Sequence, residues 1–121
     1  MKSLWIEHQD KRIFYADYSG FGSDSVMLHQ EVDEAVDVIA AEPDKSVLVL
    51  VNFENTDTSM SNLSTLRKLI PRANRAVIRR ALLGLGGSRS FFITTFANVT
   101  GGTSLLAFDT REKALDWLVG E

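Results

Sequence analysis

Residues 46–69, SVLVLVNFENTDTSMSNLSTLRKL, form the stretch of sequence that decides the predicted fold. Residues 46–53 are mostly valine and leucine without alternation of apolar and polar residues, which is typical of a central strand covered on both faces. Six hydroxyl side chains follow between Thr56 and Thr65, and helical spacing begins near Ser61. A buried strand that runs through a polar corner into a helix is the repeating unit of an α/β sheet.

The same alternation of strands and helices continues on both sides of this stretch. The predicted strands are residues 4–8, 13–18, 46–53, 79–85 and 103–108, and the predicted helices start near residues 24, 61, 88 and 110. The first two strands flank a polar turn, which indicates a β-hairpin. We therefore predict a single α/β domain over residues 1–121, with a mixed, mostly parallel sheet of about five strands, an amino-terminal hairpin and four to five helices.

Composition limits the class of protein. The chain has 121 residues and no cysteine, which excludes disulfides, thiolate catalysis and cysteine-type zinc sites. The amino terminus lacks the apolar core and cleavage site of a signal peptide. The longest strongly apolar run, residues 47–51, is too short to cross a membrane. We expect a cytoplasmic protein without membrane insertion.

The charges are distributed unevenly along the chain. Residues 1–57 hold 12 acidic and 4 basic side chains, whereas residues 58–108 hold 7 basic side chains and no acidic one. Such a basic region attracts an anion or an acidic partner. The predicted partner-binding residues are Arg67, Lys68, Arg72 and Arg75. The alternative is a solvated face that pairs with the acidic helix of the same chain. Pairing of acidic and basic faces between two chains would give a homodimer.

The sequence offers little for other kinds of function. His8 and His29 are the two histidines, and neither lies in a metal-binding motif. A serine nucleophile needs a paired base, and no G-x-S-x-G elbow is present. The negative net charge and the lack of a nucleic-acid-reading motif argue against nucleic acid as a partner. We predict a protein that is not an enzyme and has no metal site and no cofactor.

A glycine-rich turn and an aromatic helix suggest a small ligand. The turn "GLGGSR", residues 84–89, follows a strand and precedes a helix, where backbone amides can hold an anion with the help of Ser88 and Arg89. Phe91, Phe92 and Phe96 follow on that helix. They fit a buried core, and they also fit a dimer or ligand surface. The predicted ligand is accordingly a small apolar or anionic molecule.

The hydroxyl corner, residues 56–65, is open to three interpretations. Ser59 or Ser61 can cap the helix that follows. A phosphate added to one of the hydroxyls would face the positive end of the helix dipole and, we expect, lie near Arg67 and Lys68. The open amides of the first helical turn could instead cradle a small anion.

The chain resembles the STAS domains, the domains of sulfate transporters and anti-sigma factor antagonists. The resemblance rests on SVLVLVNFEN, the corner, SNLSTLRKL, RALLGLG and the closing pattern SLLAFDTREKALDWLVG. The closing pattern is marked by Phe108, Ala114, Trp117 and Leu118. The best match is the stand-alone, sporulation-antagonist-like branch.

This resemblance implies a non-catalytic regulatory module whose partner is an anti-sigma factor or kinase. In that family a serine or threonine in a D-S-S/T-G motif is phosphorylated at the start of the helix after the central strand. The candidates here are Ser59, Thr58 and Ser61, in that order, and Met60 stands where the motif has glycine. The stand-alone branch is also similar to CRAL-TRIO modules, which implies binding of a lipid or another small ligand as the alternative function.

Overall fold

The order of strands and helices is the one that the sequence predicts. The computed structural model describes residues 1–97, 99–101 and 103–120, except for the side chains of Ser88 and Arg89. The strands in these ranges are β1 (Leu4–His8), β2 (Lys11–Asp17), β3 (Val47–Asn52), β4 (Val77–Leu83) and β5 (Ser104–Ala107). The α-helices in the same ranges are α1 (Ser25–Ala40), α2 (Met60–Leu69), α3 (Arg89–Phe96) and α4 (Arg111–Val119). Two 3₁₀-helices, Ile70–Ala76 and Gly86–Ser88, precede β4 and α3.

The strands that the described residues form make one sheet in the order β1-β2-β3-β4-β5. β1 and β2 are antiparallel, and each later neighbour is parallel. Gln9 and Asp10 connect the hairpin with φ angles of 51° and 65°. Two successive positive φ angles match the right-handed twist of the paired strands. The predicted mixed, mostly parallel sheet with an amino-terminal hairpin is confirmed.

Helices cover the sheet on both faces. Each parallel connection moves one strand further in the same direction, and right-handed crossovers place α1, α2 and α3 together on one face. On β3, Val47, Val49 and Val51 pack into the core beneath these helices, whereas Leu48 and Leu50 pack with α4 on the opposite face. Burial of both faces explains why this strand lacks alternation.

β4 carries two adjacent arginines that lie on opposite faces of the sheet. Arg79 lies on the α4 side, where its Nη1 donates a hydrogen bond to the carbonyl oxygen of Leu118 at 2.9 Å. The last carbonyls of a helix lack partners within the helix, so Arg79 caps the carboxyl end of α4. Arg80 lies on the other side, in the core. The α2 side of the sheet therefore contains a buried cation.

Candidate functional site

The corner between β3 and α2 is anchored to the loop that follows β2. The hydroxyl of Thr56 donates to the carbonyl oxygen of Tyr18 and accepts a hydrogen bond from the amide of Phe21 at 3.2 Å. The amide of Asp57 donates to the carbonyl oxygen of Gly22 at 2.8 Å. Thr56 is therefore a structural member of the hydroxyl cluster, since it joins two loops at the carboxyl ends of neighbouring strands.

Asn62 fixes the buried side of the same corner. Its side chain is 1% exposed, and its amide group donates to the carbonyl oxygen of Asp57 at 2.8 Å. Its Oδ1 accepts a hydrogen bond from the hydroxyl of Ser25 at 2.8 Å. The amino-terminal ends of α1 and α2 are thus joined through one buried amide. Asn62 is not among the residues that the sequence predicts for the site, although it lies beside Leu63 on the inward side of the predicted helix.

The three predicted phosphorylation residues lie on the outer side of the corner. Ser59 occupies the N-cap position of α2 and is exposed, but its side chain makes no capping hydrogen bond. Ser61 is exposed in the first turn, and Thr58 is half-buried. The amides of the first turn are therefore not capped by Ser59, which leaves the phosphate and anion-cradle interpretations open. All three side chains stay predictions as modification sites.

Two large apolar side chains are exposed beside these hydroxyls. Met60, the first residue of α2, is 73% exposed, and Val26, near the start of α1, is 78% exposed. The hydrogen bond between Ser25 and Asn62 holds these two helix starts together. Exposed apolar side chains that occur together with polar neighbours are typical of contact surfaces. The amino-terminal end of α2 therefore combines apolar area, hydroxyls and first-turn amides that the side chain of Ser59 does not cap.

Two of the four predicted basic residues form ion pairs within the chain. Arg72 donates to Asp33 of α1 at 2.7 Å and also to Asp37. Arg75 donates to Asp44 at 2.6 Å. The hydrogen bond from Arg72 lowers the pKa of Asp33 and raises that of Arg72. The contacts of Arg72 match the alternative in which part of the basic region pairs with the acidic helix, whereas Asp44 lies beyond the end of α1.

Arg67 and Lys68 are exposed in the last turn of α2. The ion pairs of the described residues do not include either side chain. With a rise of 1.5 Å per residue, Arg67 lies about 12 Å along the helix axis from Ser59. A phosphate on Ser59 would therefore lie far from Arg67 and Lys68, because the helix carries these residues to its opposite end. For the other hydroxyls of the corner the expectation stays a prediction. A homodimer stays a prediction.

The three phenylalanines of the aromatic helix have different positions. Phe92 and Phe96 are 3% and 2% exposed, with ring centroids 4.4 Å apart, and Phe92 also packs on Phe53 at 4.8 Å. Phe91 is 57% exposed. Two of the three rings therefore belong to the core, and Phe91 remains available to a ligand or partner. The side chains of Ser88 and Arg89, the other predicted ligand residues, lie outside the described part of the chain.

The glycine-rich turn after β4 packs against the backbone at Glu54, just before the hydroxyl corner. Gly84 has a φ of +80°, and a Cβ at this position would lie 2.4 Å from the amide nitrogen of Glu54. Only glycine permits this approach, because both the backbone angle and the distance exclude a side chain. On the α4 side the turn borders an open cleft of about 560 Å³, where Asn52 donates to the hydroxyl of Tyr15 at 3.0 Å.

Arg80 is a buried residue that the sequence marks only as one of the seven basic side chains of residues 58–108. It is 4% exposed, and its Nη2 donates to Oδ1 of Asn74 at 2.9 Å. Its Nη1 has no hydrogen-bond partner among the described residues. Burial lowers the pKa of the guanidinium to about 10. The signal was present in the sequence, because two adjacent arginines on a strand point to opposite faces of the sheet, and both faces of this strand are covered.

A comparison with solved structures agrees with this architecture. The chain is similar to an uncharacterized protein of the DUF3478 family from Shewanella loihica PV-4, which is described as having a SpoIIAA-like fold. The TM-score is 0.68 at 16% sequence identity, over 96% of this chain and 91% of that one. The chain has a SpoIIAA-like fold. This is the fold of STAS and anti-sigma antagonist domains, so the predicted resemblance is confirmed for the fold. No family model and no curated protein matches the sequence.

Two further features concern membranes and metals. Among the described residues, no helix combines the length and the apolarity needed to cross a bilayer. In the same part of the chain, no group of three or more His, Asp or Glu side chains is arranged to hold a metal ion.

Proposed function

We propose that the chain, as a single domain over residues 1–121, is a non-catalytic regulatory module that binds a protein partner through α2. The observation that supports this most is the outer surface of its amino-terminal end. There Met60 is 73% exposed between the exposed hydroxyls of Ser59 and Ser61. Asn62 fixes the opposite side of the same turn, so the exposed groups are presented from a rigid support. The SpoIIAA-like fold is consistent with such a role.

The partner is an acidic protein in this proposal, of the anti-sigma factor or kinase class. Arg67 and Lys68 are exposed and lie outside the ion pairs of the described residues, so they add positive charge at the carboxyl end of α2, about two turns from Met60. Arg72 and Arg75 would contact the partner protein only after breaking their ion pairs within this chain. Rim charges of this kind mainly accelerate association and make binding sensitive to salt.

Phosphorylation of Ser59 would regulate this surface. A phosphate at the N-cap would meet the free amides of the first turn of α2 and the positive end of its dipole. It would also place about two negative charges beside Met60, which opposes docking of an acidic partner. Incubation with candidate kinases, followed by mass-spectrometric mapping, tests Ser59, Thr58 and Ser61. Modification confined to other residues would remove the switch from the proposal.

Charge reversal tests the partner surface. Lys68→Glu on α2 should weaken recovery of the partner in a quantitative pull-down, with a stronger effect at low salt. Lys113→Glu is the matched control, because it makes the same change at an exposed position of α4 on the opposite face of the sheet. Equal recovery by both variants and the wild type would show that the α2 face is not involved.

A second candidate function is binding of a small apolar or anionic ligand between the sheet and α3. The observation that favours it is the buried, incompletely bonded Arg80 beside the aromatic pair Phe92 and Phe96. The test is native mass spectrometry of freshly purified protein. A retained mass would support a tightly bound lipid-like ligand, and a spectrum of the bare chain alone would count against one.

A further inference from the structure

An open cleft lies at the carboxyl ends of the parallel strands, on the α4 face of the sheet. Its volume is about 560 Å³, and residues near the ends of β2, β3, β4 and β5 line it. In open α/β sheets, small ligands bind at this edge, outside the carboxyl ends of the strands. The volume also lies within the range of roughly 300–1,000 Å³ that is usual for small-molecule sites. Position and size therefore fit a small ligand.

The wall of this cleft contains a group of hydrogen-bond donors. Asn52 donates to the hydroxyl oxygen of Tyr15 at 3.0 Å, so the proton of that hydroxyl is left to donate to another acceptor. The guanidinium carbon of Arg111 lies over the Tyr15 ring, 4.8 Å from its centre. A guanidinium that packs on a ring keeps its planar set of N–H donors, which matches the two oxygens of a carboxylate. Tyr15 and Arg111 together therefore form a binding site for a carboxylate.

Glu54 contributes a negative charge to the same cleft. Its backbone is held in place, because its amide donates to Oδ1 of Asn52 at 2.9 Å and its carbonyl oxygen accepts from the amide of Gly20 at 2.8 Å. Glu54 and Arg111 are both exposed, and the ion pairs of the described residues include neither of them. Asp109 also lines the cleft and has an interaction of its own within the chain. The cleft thus presents a cation and an anion that are not paired with each other.

We propose that this cleft binds a free amino acid in its zwitterionic form. The carboxylate of the ligand accepts hydrogen bonds from Arg111 and from the hydroxyl of Tyr15, and its ammonium group pairs with Glu54. Leu83 and Phe108 supply apolar wall for the side chain of the ligand. A zwitterion complements both charges of the cleft, whereas a simple anion would be repelled by Glu54. The cleft lies on the opposite face of the sheet from α2 and α3, so the inference is independent of both candidate functions.

An NMR titration of the isotope-labelled protein with the common amino acids tests the site. The amino acid that binds most tightly is then compared with the analogue that lacks the ammonium group and with the amide that lacks the carboxylate. For leucine these two compounds are isocaproate and leucinamide. We expect saturable shifts of the backbone amides of Glu54, Gly84 and Arg111. Each analogue should bind about tenfold more weakly than the amino acid, because it loses one charge-assisted contact.

Two pairs of variants test the roles of the two charges. Arg111→Gln and Glu54→Gln should each weaken binding of the amino acid about tenfold, and Glu54→Gln should not weaken binding of the ammonium-free analogue. Lys113→Gln and Glu112→Gln are the matched controls on α4 and should leave the affinity unchanged. All four side chains are exposed, so the variants should fold.

Three results would overturn the proposal. The first is the absence of saturable shifts at the cleft with every amino acid of the panel. The second is an affinity for either analogue equal to that for the amino acid. The third is an unchanged affinity in Arg111→Gln or in Glu54→Gln.

Discussion

Replacing Gly84 by alanine tests whether the turn after β4 holds the corner between β3 and α2. A Cβ at Gly84 would lie 2.4 Å from the amide nitrogen of Glu54 and 2.7 Å from its Cα, both backbone atoms. The positive φ costs alanine about 1–2 kcal/mol, and forcing the backbones apart adds roughly 1–3 kcal/mol. Lower entropy of the unfolded alanine chain offsets about 0.4–1 kcal/mol. We expect Gly84→Ala to lower the free energy of unfolding by about 3 kcal/mol.

Gly86→Ala is the matched control in the same turn. Gly86 also has a positive φ, +54°, but a Cβ there meets nothing within 4 Å. Only the backbone terms remain, so the expected loss is about 0.5–1 kcal/mol. Urea unfolding followed by tryptophan fluorescence measures both losses, and in a thermal scan each kcal/mol lowers the midpoint by about 4 °C. Equal losses at the two glycines would refute the close approach between this turn and Glu54.

Three further changes test other parts of the structure. Asn62→Ala removes the two hydrogen bonds of a buried side chain and should cost about 2–3 kcal/mol in urea unfolding. A loss below about 1 kcal/mol would contradict its role in joining α1 to α2. Phe92→Ala should lower the free energy of unfolding by about 3–5 kcal/mol, whereas Phe91→Ala should change it by no more than about 0.5 kcal/mol. Comparable losses would contradict the burial of Phe92 and the exposure of Phe91. Arg72→Gln should lower stability at neutral pH and low salt, because the ion pair keeps the pKa of Asp33 below its usual 3.8. That contribution is present above pH 3.8 and is lost as the pH falls through the lowered pKa of Asp33. If the free energies of unfolding of the wild type and Arg72→Gln keep the same difference down to acid pH, the ion pair does not contribute to stability.

The order of strands and helices can be predicted from local patterns in the sequence. The unbroken apolar run of β3 marks a strand between two covered faces, and the acidic and apolar sides of α1 mark a helix on that sheet. The first residue of β4 could not be predicted from the sequence in the same way. Ala76 and Val77 fit a continued helix, but Val77 pairs with Val47 of β3 and so begins a strand. Pairing between distant segments decides this boundary, and local spacing does not report it.

The candidate site depends still more on tertiary contacts. The hydroxyl cluster is visible in the sequence, but which hydroxyl is structural depends on the loop after β2, where Thr56 finds both of its partners. Arg72, in the 3₁₀-helix Ile70–Ala76, forms ion pairs with Asp33 and Asp37 of α1. This pairing is fixed only when the two helices pack together. Arg80 is buried because β4 is covered on both faces.

The most direct test of the proposed function is site-specific photo-crosslinking from Met60. A photoreactive amino acid at Met60 is compared with one at Lys113, an exposed position on the opposite face of the sheet. If α2 is the partner-binding surface, the Met60 derivative crosslinks to one defined protein, and Lys68→Glu reduces that product while the Lys113 derivative does not form it. Crosslinks of the same protein from both positions, or from Lys113 alone, would contradict the account.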